Sequence, residues 1–246
     1  MELTVLGRYG PFPAPGGACS GYLIRAGRAK IALDLGAGTL SRLIGLVPEL
    51  DLDCIILTHL HSDHISDMFV LRYALRQLAE GGAHPTLPMP VIAPEEPREE
   101  YRMLTASGAY DLTAAQDGLQ LRIQDARIRL DRVTHPVPTF AVSVEHEGKR
   151  LVYTGDTGMR HDLAELCYGA DLLLADANFL DEECPSAPAP HLSAGQAGRL
   201  AADAWVKRLI LTHIRGALCD TGKLLAQARR YYPKTELAEE FAVYSV

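Results

Sequence analysis

Short apolar runs separated by turn-forming residues organise the first part of the chain. Leu3 to Leu6, Gly21 to Arg25 and Ile31 to Leu33 read as strands, with a proline- and glycine-rich loop from Gly10 to Gly17 between the first two. This spacing predicts an N-terminal β-meander. Asp53 to Leu57 is a compact apolar run ending in a polar loop. Beyond it, His64 to Leu78 carries Phe69, Leu71, Tyr73, Leu75 and Leu78, a pattern compatible with a largely buried helix. Five prolines punctuate the stretch from Pro85 to Pro97. Val91-Ile92 among them is expected as a short edge strand, because proline cannot donate to a central ladder, and no domain linker is read there.

The second half predicts strands near Leu119 to Ile123, Ile128 to Val133, Phe140 to Val144, Leu151 to Thr154, Leu172 to Ala175 and Leu209 to Thr212. Helices are expected over Ala194 to Val206 and Thr221 to Tyr231, the latter closed by Pro233. Leu173 to Asp176 and Leu209 to His213 are apolar on both faces of the pleat, as strands between covering layers are. The pattern therefore implies layered α/β packing. One internal echo stands out: Ile55-Ile56-Leu57-Thr58-His59 recurs as Leu209-Ile210-Leu211-Thr212-His213, each a strand delivering a histidine at its carboxyl end.

Composition narrows the class. A chain of 246 residues can bury roughly 70–75% of its unfolded surface in one core, so residues 1–246 are expected to form a single domain. Hydrophobic residues at 48% and charged residues at 22% exclude disordered and collagen-like chains. The longest purely apolar stretches fall far short of the roughly twenty residues a membrane span needs. No secretory signal is read after Met1-Glu2-Leu3, and the cytoplasm is the expected compartment. With 24 Lys and Arg against 31 Asp and Glu, the formal charge is −7, which gives no whole-protein attraction for nucleic acid. Five scattered cysteines without a CxxC pair fit reduced thiols. Nine histidines remain to be explained, because they are unevenly placed.

Four potential ligands fall within six residues in His59-Leu60-His61-Ser62-Asp63-His64. In an extended segment His59, His61 and Asp63 project to one side, since side-chain direction repeats every two residues. His64 can face a second ion once the chain turns into the following helix. Chance yields such a hexapeptide in about one chain in a thousand of this composition, and imidazole with carboxylate suits borderline cations such as zinc. Three further candidates lie at strand ends: His135 just before the stiffening prolines Pro136 and Pro138, Asp156 in Thr154-Gly155-Asp156-Thr157-Gly158, and His213 in the echo. His84, His146 and His161 sit in polar or turn-like contexts and are assigned to the surface.

These motifs resemble the metallo-β-lactamase superfamily over nearly the full length of the chain, from Asp34 in Leu33-Asp34-Leu35-Gly36 to His213. His135 followed by Pro138, and His191-Leu192-Ser193-Ala194 before a helix, are similar to the ribonuclease Z-like branch in its short form. The resemblance implies a four-layer αββα sandwich and two divalent metal ions, with zinc as the default and manganese or iron also compatible. His59, His61 and His135 would hold the first ion. Asp63, His64 and His213 would hold the second, with Asp156 bridging and Asp34 orienting ligands. The implied activity is phosphodiester hydrolysis, on RNA or a small nucleotide, with Asp63 as proton acceptor and His191 as the acid. A homodimer is the state the branch implies. Cyclic-nucleotide or cyclic ribose-phosphate hydrolysis is the nearest alternative, and thioester or lactone hydrolysis a more distant one, given Ile65-Ser66-Asp67 where such enzymes carry glycines. Only twenty residues separate His135 from Asp156, too few for the long arm of the tRNA-processing enzymes, and Ile214-Arg215-Gly216 replaces their usual anchoring stretch.

Overall fold

The computed structural model describes residues 1–106, 108–186 and 188–246. Six strands build most of a first sheet: β1 (Glu2–Gly7), β2 (Gly21–Ala26), β3 (Ala29–Leu35), β4 (Cys54–Ile56), β5 (Met89–Ala93) and β6 (Tyr110–Ala114). Seven build the second: β7 (Gln120–Ile123), β8 (Ala126–Arg132), β9 (Phe140–His146), β10 (Lys149–Tyr153), β11 (Leu172–Asp176), β12 (Leu209–Thr212) and β13 (Thr235–Leu237). The last strand, β14 (Val243–Ser245), returns to pair with β1, giving sheet orders β14-β1-β2-β3-β4-β5-β6 and β13-β12-β11-β10-β9-β8-β7. The expected meander is present, β1, β2 and β3 being antiparallel neighbours.

Alternation along the strands makes the layers. Leu172 and Leu174 of β11 face the first sheet, where they pack with Tyr22, Ile24 and Leu33. Their neighbours Leu173 and Ala175 face helices α6 (Ala194–Asp203) and α7 (Thr221–Arg229), against Ala197, Leu200 and Leu224. The first sheet repeats this, with Leu23, Ala32 and Ile55 under α1 (Thr39–Leu46) and α3 (Met68–Glu80). Two mixed sheets flanked by helices are thus the αββα architecture expected, and both apolar faces of the central strands have a covering layer.

Several local expectations change. Val91-Ile92 belongs to an interior strand, because β6 pairs in parallel along the other side of β5. Pro90 is tolerated there because the pairing with β4 begins only at Val91. The helix expected over His64 to Leu78 is broken in two, α2 (Ser62–Ile65) and α3, with Ser66 and Asp67 between them. Asp67 is held at that break, its amide bonding Leu35 O at 3.0 Å and its carboxylate accepting from Leu40 N at 2.7 Å. Helix α6 stops at Asp203 and α7 at Arg229. The elements α1, α4 (Arg98–Thr105), α5 (Leu163–Cys167), β6, β13 and β14 add to those expected from the sequence. Among the described residues, no helix is long and apolar enough to cross a membrane, and all five cysteines are free.

Candidate metal centre

The parallel strands β3, β4, β10, β11 and β12 all end at one edge of the sandwich, and their carboxyl-terminal residues and following loops carry the chemistry. His59 follows β4, and His61 is the extended residue preceding α2, with φ −68° and ψ 149°. The same loop therefore sends both rings one way. His135 reaches them from the loop after β8, its Nδ1 tied to Pro190 O at 2.8 Å. His59 Nε2 lies 3.0 Å from His61 Nδ1, which lies 3.1 Å from His135 Nε2.

A second group sits beside the first. Asp63 Oδ2 is 3.1 Å from His213 Nε2, and Asp156 Oδ2 is 3.2 Å from His213 Nε2 and 3.3 Å from His64 Nε2. Asp156 Oδ2 is also 3.6 Å from His59 Nε2, so one carboxylate oxygen stands between the two groups. All seven expected ligands are brought together in two groups, His59, His61, His135 and Asp63, His64, Asp156, His213.

These donors fit cations better than they fit one another. Three ring nitrogens within hydrogen-bond distance cannot all be satisfied by shared protons, whereas bonds of about 2.0–2.1 Å to one tetrahedral cation require donors roughly 3.3 Å apart. Asp156 Oδ1 is buried with no hydrogen-bond partner among the described residues. A buried carboxylate oxygen left so is costly unless something positive meets it.

Around each donor, other residues fix the ring. Asp34, fully buried at the end of β3, accepts from Thr58 N at 2.8 Å, Thr58 Oγ1 at 2.9 Å and Tyr153 OH at 3.0 Å, and meets His64 Nδ1 at 2.7 Å. It does so from a left-handed conformation, φ 54°, shared by His213, also at φ 54°. Such backbone is uncommon outside glycine and concentrates at functional sites. Asn178 lies against His213, its Nδ2 3.2 Å from Nδ1 and 2.9 Å from the carbonyl oxygen. His191 Nδ1 lies 3.0 Å from Asp176 Oδ2, and its ring stacks on His213 with centroids 5.0 Å apart. The loop bearing His191 ends where Ser193 and Gln196 cap α6 reciprocally.

Asp176 adds a further acid to the residues named from the sequence. It is fully buried, it orients His191, and its Oδ1 lies 3.7 Å from His213 Nδ1. Its signal lies in the internal echo: each Leu-Thr-His strand, β4 and β12, has a parallel neighbour, β3 or β11, that carries an aspartate at its carboxyl end, Asp34 or Asp176. Of the histidines assigned to the surface, His84 and His161 are exposed and His146 is half-buried.

A family model described as the beta-lactamase superfamily domain matches residues 38–214. The chain belongs to the metallo-β-lactamase superfamily. Within it, the probable metallo-hydrolase YhfI of Bacillus subtilis is 32% identical over 214 residues, 87% of each chain. The crystal structure of YhfI superimposes with a TM-score of 0.89 at 29% identity, covering 99% of both chains. Ribonuclease Z of Mycolicibacterium paratuberculosis is 30% identical over 272 residues, 98% of this chain and 96% of its own. Human tRNase Z, short form, shares the fold with a TM-score of 0.77 at 22% identity, over 100% and 99% of the two chains.

The two halves of this metallo-β-lactamase centre differ in charge. Burial holds His59, His61 and His135 below the ordinary histidine value, so all three favour the neutral, ligating form. Burial acts the same way on His64, but the carboxylates of Asp156, Asp34 and Asp63 outweigh it and hold that ring well above the ordinary value. His213 is likewise raised against burial, to about 10, by Asp156, Asp176 and Asp63. Burial disfavours the charged forms of Asp156 and Asp63, yet the neighbouring imidazoles keep both carboxyls below their usual range. The carboxylates of the second group thus draw His64 and His213 toward the protonated form, whereas burial turns the first group the other way.

Proposed function

We propose that the protein is a phosphodiesterase that uses two divalent cations, zinc by default. The supporting observation is the position of Asp156 Oδ2, within 3.2–3.6 Å of His59, His64 and His213 and so shared by both donor groups. His59, His61 and His135 would hold one cation, and Asp63, His64 and His213 the other, with Asp156 between them. Two such cations supply a nucleophile at neutral pH and neutralise charge on a phosphodiester during in-line displacement.

The side chains do the rest. Asp63, one-tenth exposed beside His213, accepts the proton of the attacking water. His191, with Nδ1 committed to Asp176, has Nε2 left to donate to the leaving oxygen. His191 lies in the loop that leads into α6, with its side chain 16% exposed.

A small substrate is favoured over precursor tRNA. The twenty residues between His135 and Asp156 are taken up by β9 and β10 and the turn joining them, leaving no length for an arm, and the −7 charge opposes docking of a polyanion. Cyclic-nucleotide and cyclic ribose-phosphate diesters are therefore the second substrate class carried forward. In this reading residues 1–246 form one domain, because both sheets contribute donors, and the protein is a cytoplasmic homodimer, whose oligomeric state sedimentation of the pure protein would measure. Turnover of bis-p-nitrophenyl phosphate, a 2′,3′-cyclic nucleotide, a 3′-extended precursor tRNA, a thioester and a lactone separates the classes. Absence of phosphodiesterase activity with zinc, manganese and iron each supplied would refute the reading.

A further inference from the structure

We infer that Gly10 is a positioning residue for the second cation: the absence of a side chain there keeps the imidazole of His213 aimed at Asp63 and Asp156. This rests on the two-cation reading above. A Cβ built on Gly10 falls well inside 3.0 Å of three ring atoms of His213, closest to Nε2 and nearly equidistant from Cε1 and Cδ2. That placing is over the ring face at Nε2, not in its plane, where the donor lone pair points. Gly10 thus lies flat against the one atom of His213 that faces Asp63 Oδ2 and Asp156 Oδ2, at 3.1 and 3.2 Å.

Neither partner can withdraw. The loop is bound to the end of β12 through Gly10 N to Ile214 O at 3.1 Å and Ile214 N to Arg8 O at 3.0 Å. Asn178 Nδ2 reaches Gly10 O at 3.3 Å and His213 O at 2.9 Å, joining the two backbones. His213 is held on its other nitrogen by Asn178 and stacked on by His191. Nor is glycine needed for its backbone, since Gly10, unlike Gly16, is not among the glycines with positive φ. What an alanine side chain at residue 10 meets first is the ring of His213.

The consequence is selective. The three atoms nearest a Cβ on Gly10 all belong to His213 and none to the His59, His61, His135 group, so a methyl group should tilt His213 and spare the first site. Displacing a ligand's support typically weakens cation binding about 10–100-fold. Gly10→Ala is therefore expected to hold one zinc ion tightly and the second at least tenfold more weakly than the wild type. Zinc titration followed by native mass spectrometry reads both stoichiometry and affinity without any substrate. A second arm places Gly10→Ala in a His213→Ala background, where no imidazole remains to be struck; there the melting temperature of the ion-free protein and its first-ion affinity are expected to match those of His213→Ala alone.

If wild type and Gly10→Ala both take two ions with equal affinity, the inference is overturned while the two-cation reading stands. If the wild type takes only one ion under all conditions, that reading fails and the inference with it. If Gly10→Ala loses both ions, or is as damaging in the His213→Ala background as in the wild type, residue 10 acts on the folding of the loop and the inference is likewise overturned.

Discussion

Replacing Asp34 by asparagine changes one atom in a network with four partner groups, Thr58 N, Thr58 Oγ1, His64 Nδ1 and Tyr153 OH. Oδ1 accepts from the amide of Thr58 at 2.8 Å, a donor with no alternative, so the asparagine oxygen is fixed there. The new NH2 then stands where Oδ2 met His64 Nδ1 at 2.7 Å and Tyr153 OH at 3.0 Å. Tyr153 can rotate its hydroxyl to accept. His64 can accept at Nδ1 only by carrying its proton on Nε2, the nitrogen that faces Asp156 and Asp63. The substitution should therefore switch the tautomer and disable the donor, not merely loosen it. Loss of such an orienting partner costs about 10–100-fold in cation affinity, about 1.4–2.7 kcal/mol. Asparagine tolerates the left-handed φ of 54° at this position, so the fold should survive with a penalty of about 1–3 kcal/mol. Competitive zinc titration against a chromophoric chelator measures the affinity, thermal unfolding the stability, and nitrogen NMR of the imidazoles the tautomer. An Asp34→Asn protein that melts lower but binds both ions with wild-type affinity, and keeps the Nδ1 proton on His64, would show that Asp34 supports the fold alone.

Other expectations follow from the same geometry. His191→Ala should lower turnover by about 10²-fold or more while leaving metal content intact; wild-type turnover would remove His191 from the mechanism. The raised values of His64 and His213 stabilise the ion-free protein fully below the unfolded histidine value of about 6.5, and that stability is lost as pH rises through their folded values, about 10 for His213. Ion-free protein should accordingly melt lower at pH 9 than at pH 6.5. Second-ion affinity should climb with pH above 6.5 as protons are displaced, whereas the first site, whose histidines are lowered, should be nearly flat; parallel slopes in isothermal titrations between pH 6.5 and 8 would contradict this. Tyr22→Phe removes the 2.6 Å bond to Thr212 Oγ1 between the sheets and should cost about 1–2 kcal/mol in urea unfolding, an unchanged midpoint counting against a cross-sheet role.

What the sequence made legible is what has a short-range signature. His59, His61, Asp63 and His64 announce themselves by density, and the strands of the sandwich by runs such as Leu172 to Leu174, apolar because both faces are covered. His135, Asp156 and His213 carry no such density; they became readable only once the first motif demanded partners. Asp176 and Asn178 stayed hidden because their roles depend on which strands are neighbours, and a parallel pairing such as β11 with β12 joins residues some 36 positions apart. The same holds for β6 and β14, short strands whose partners, not their composition, make them strands. Gly10 is the extreme case: within the loop it is one glycine of several, and only the ring of His213 sets it apart.

The echo between the halves extends across the sandwich. Tyr22 of the first sheet bonds Thr212, the residue before His213 in the second, while Tyr153 of the second sheet bonds Asp34 in the first. The two rings meet edge to face with centroids 4.9 Å apart, both fully buried. Each sheet thus steadies the residues that position the other's donors: Tyr153 reaches His64 through Asp34, and Tyr22 reaches His213 through Thr212. Edge-to-face rings resist sliding as well as separation, so a shift of one sheet against the other would disturb both donor groups together. A centre whose donors come from both halves needs such a coupling, because Asp156 Oδ2 can stand between the two donor groups only while the sheets hold a fixed distance.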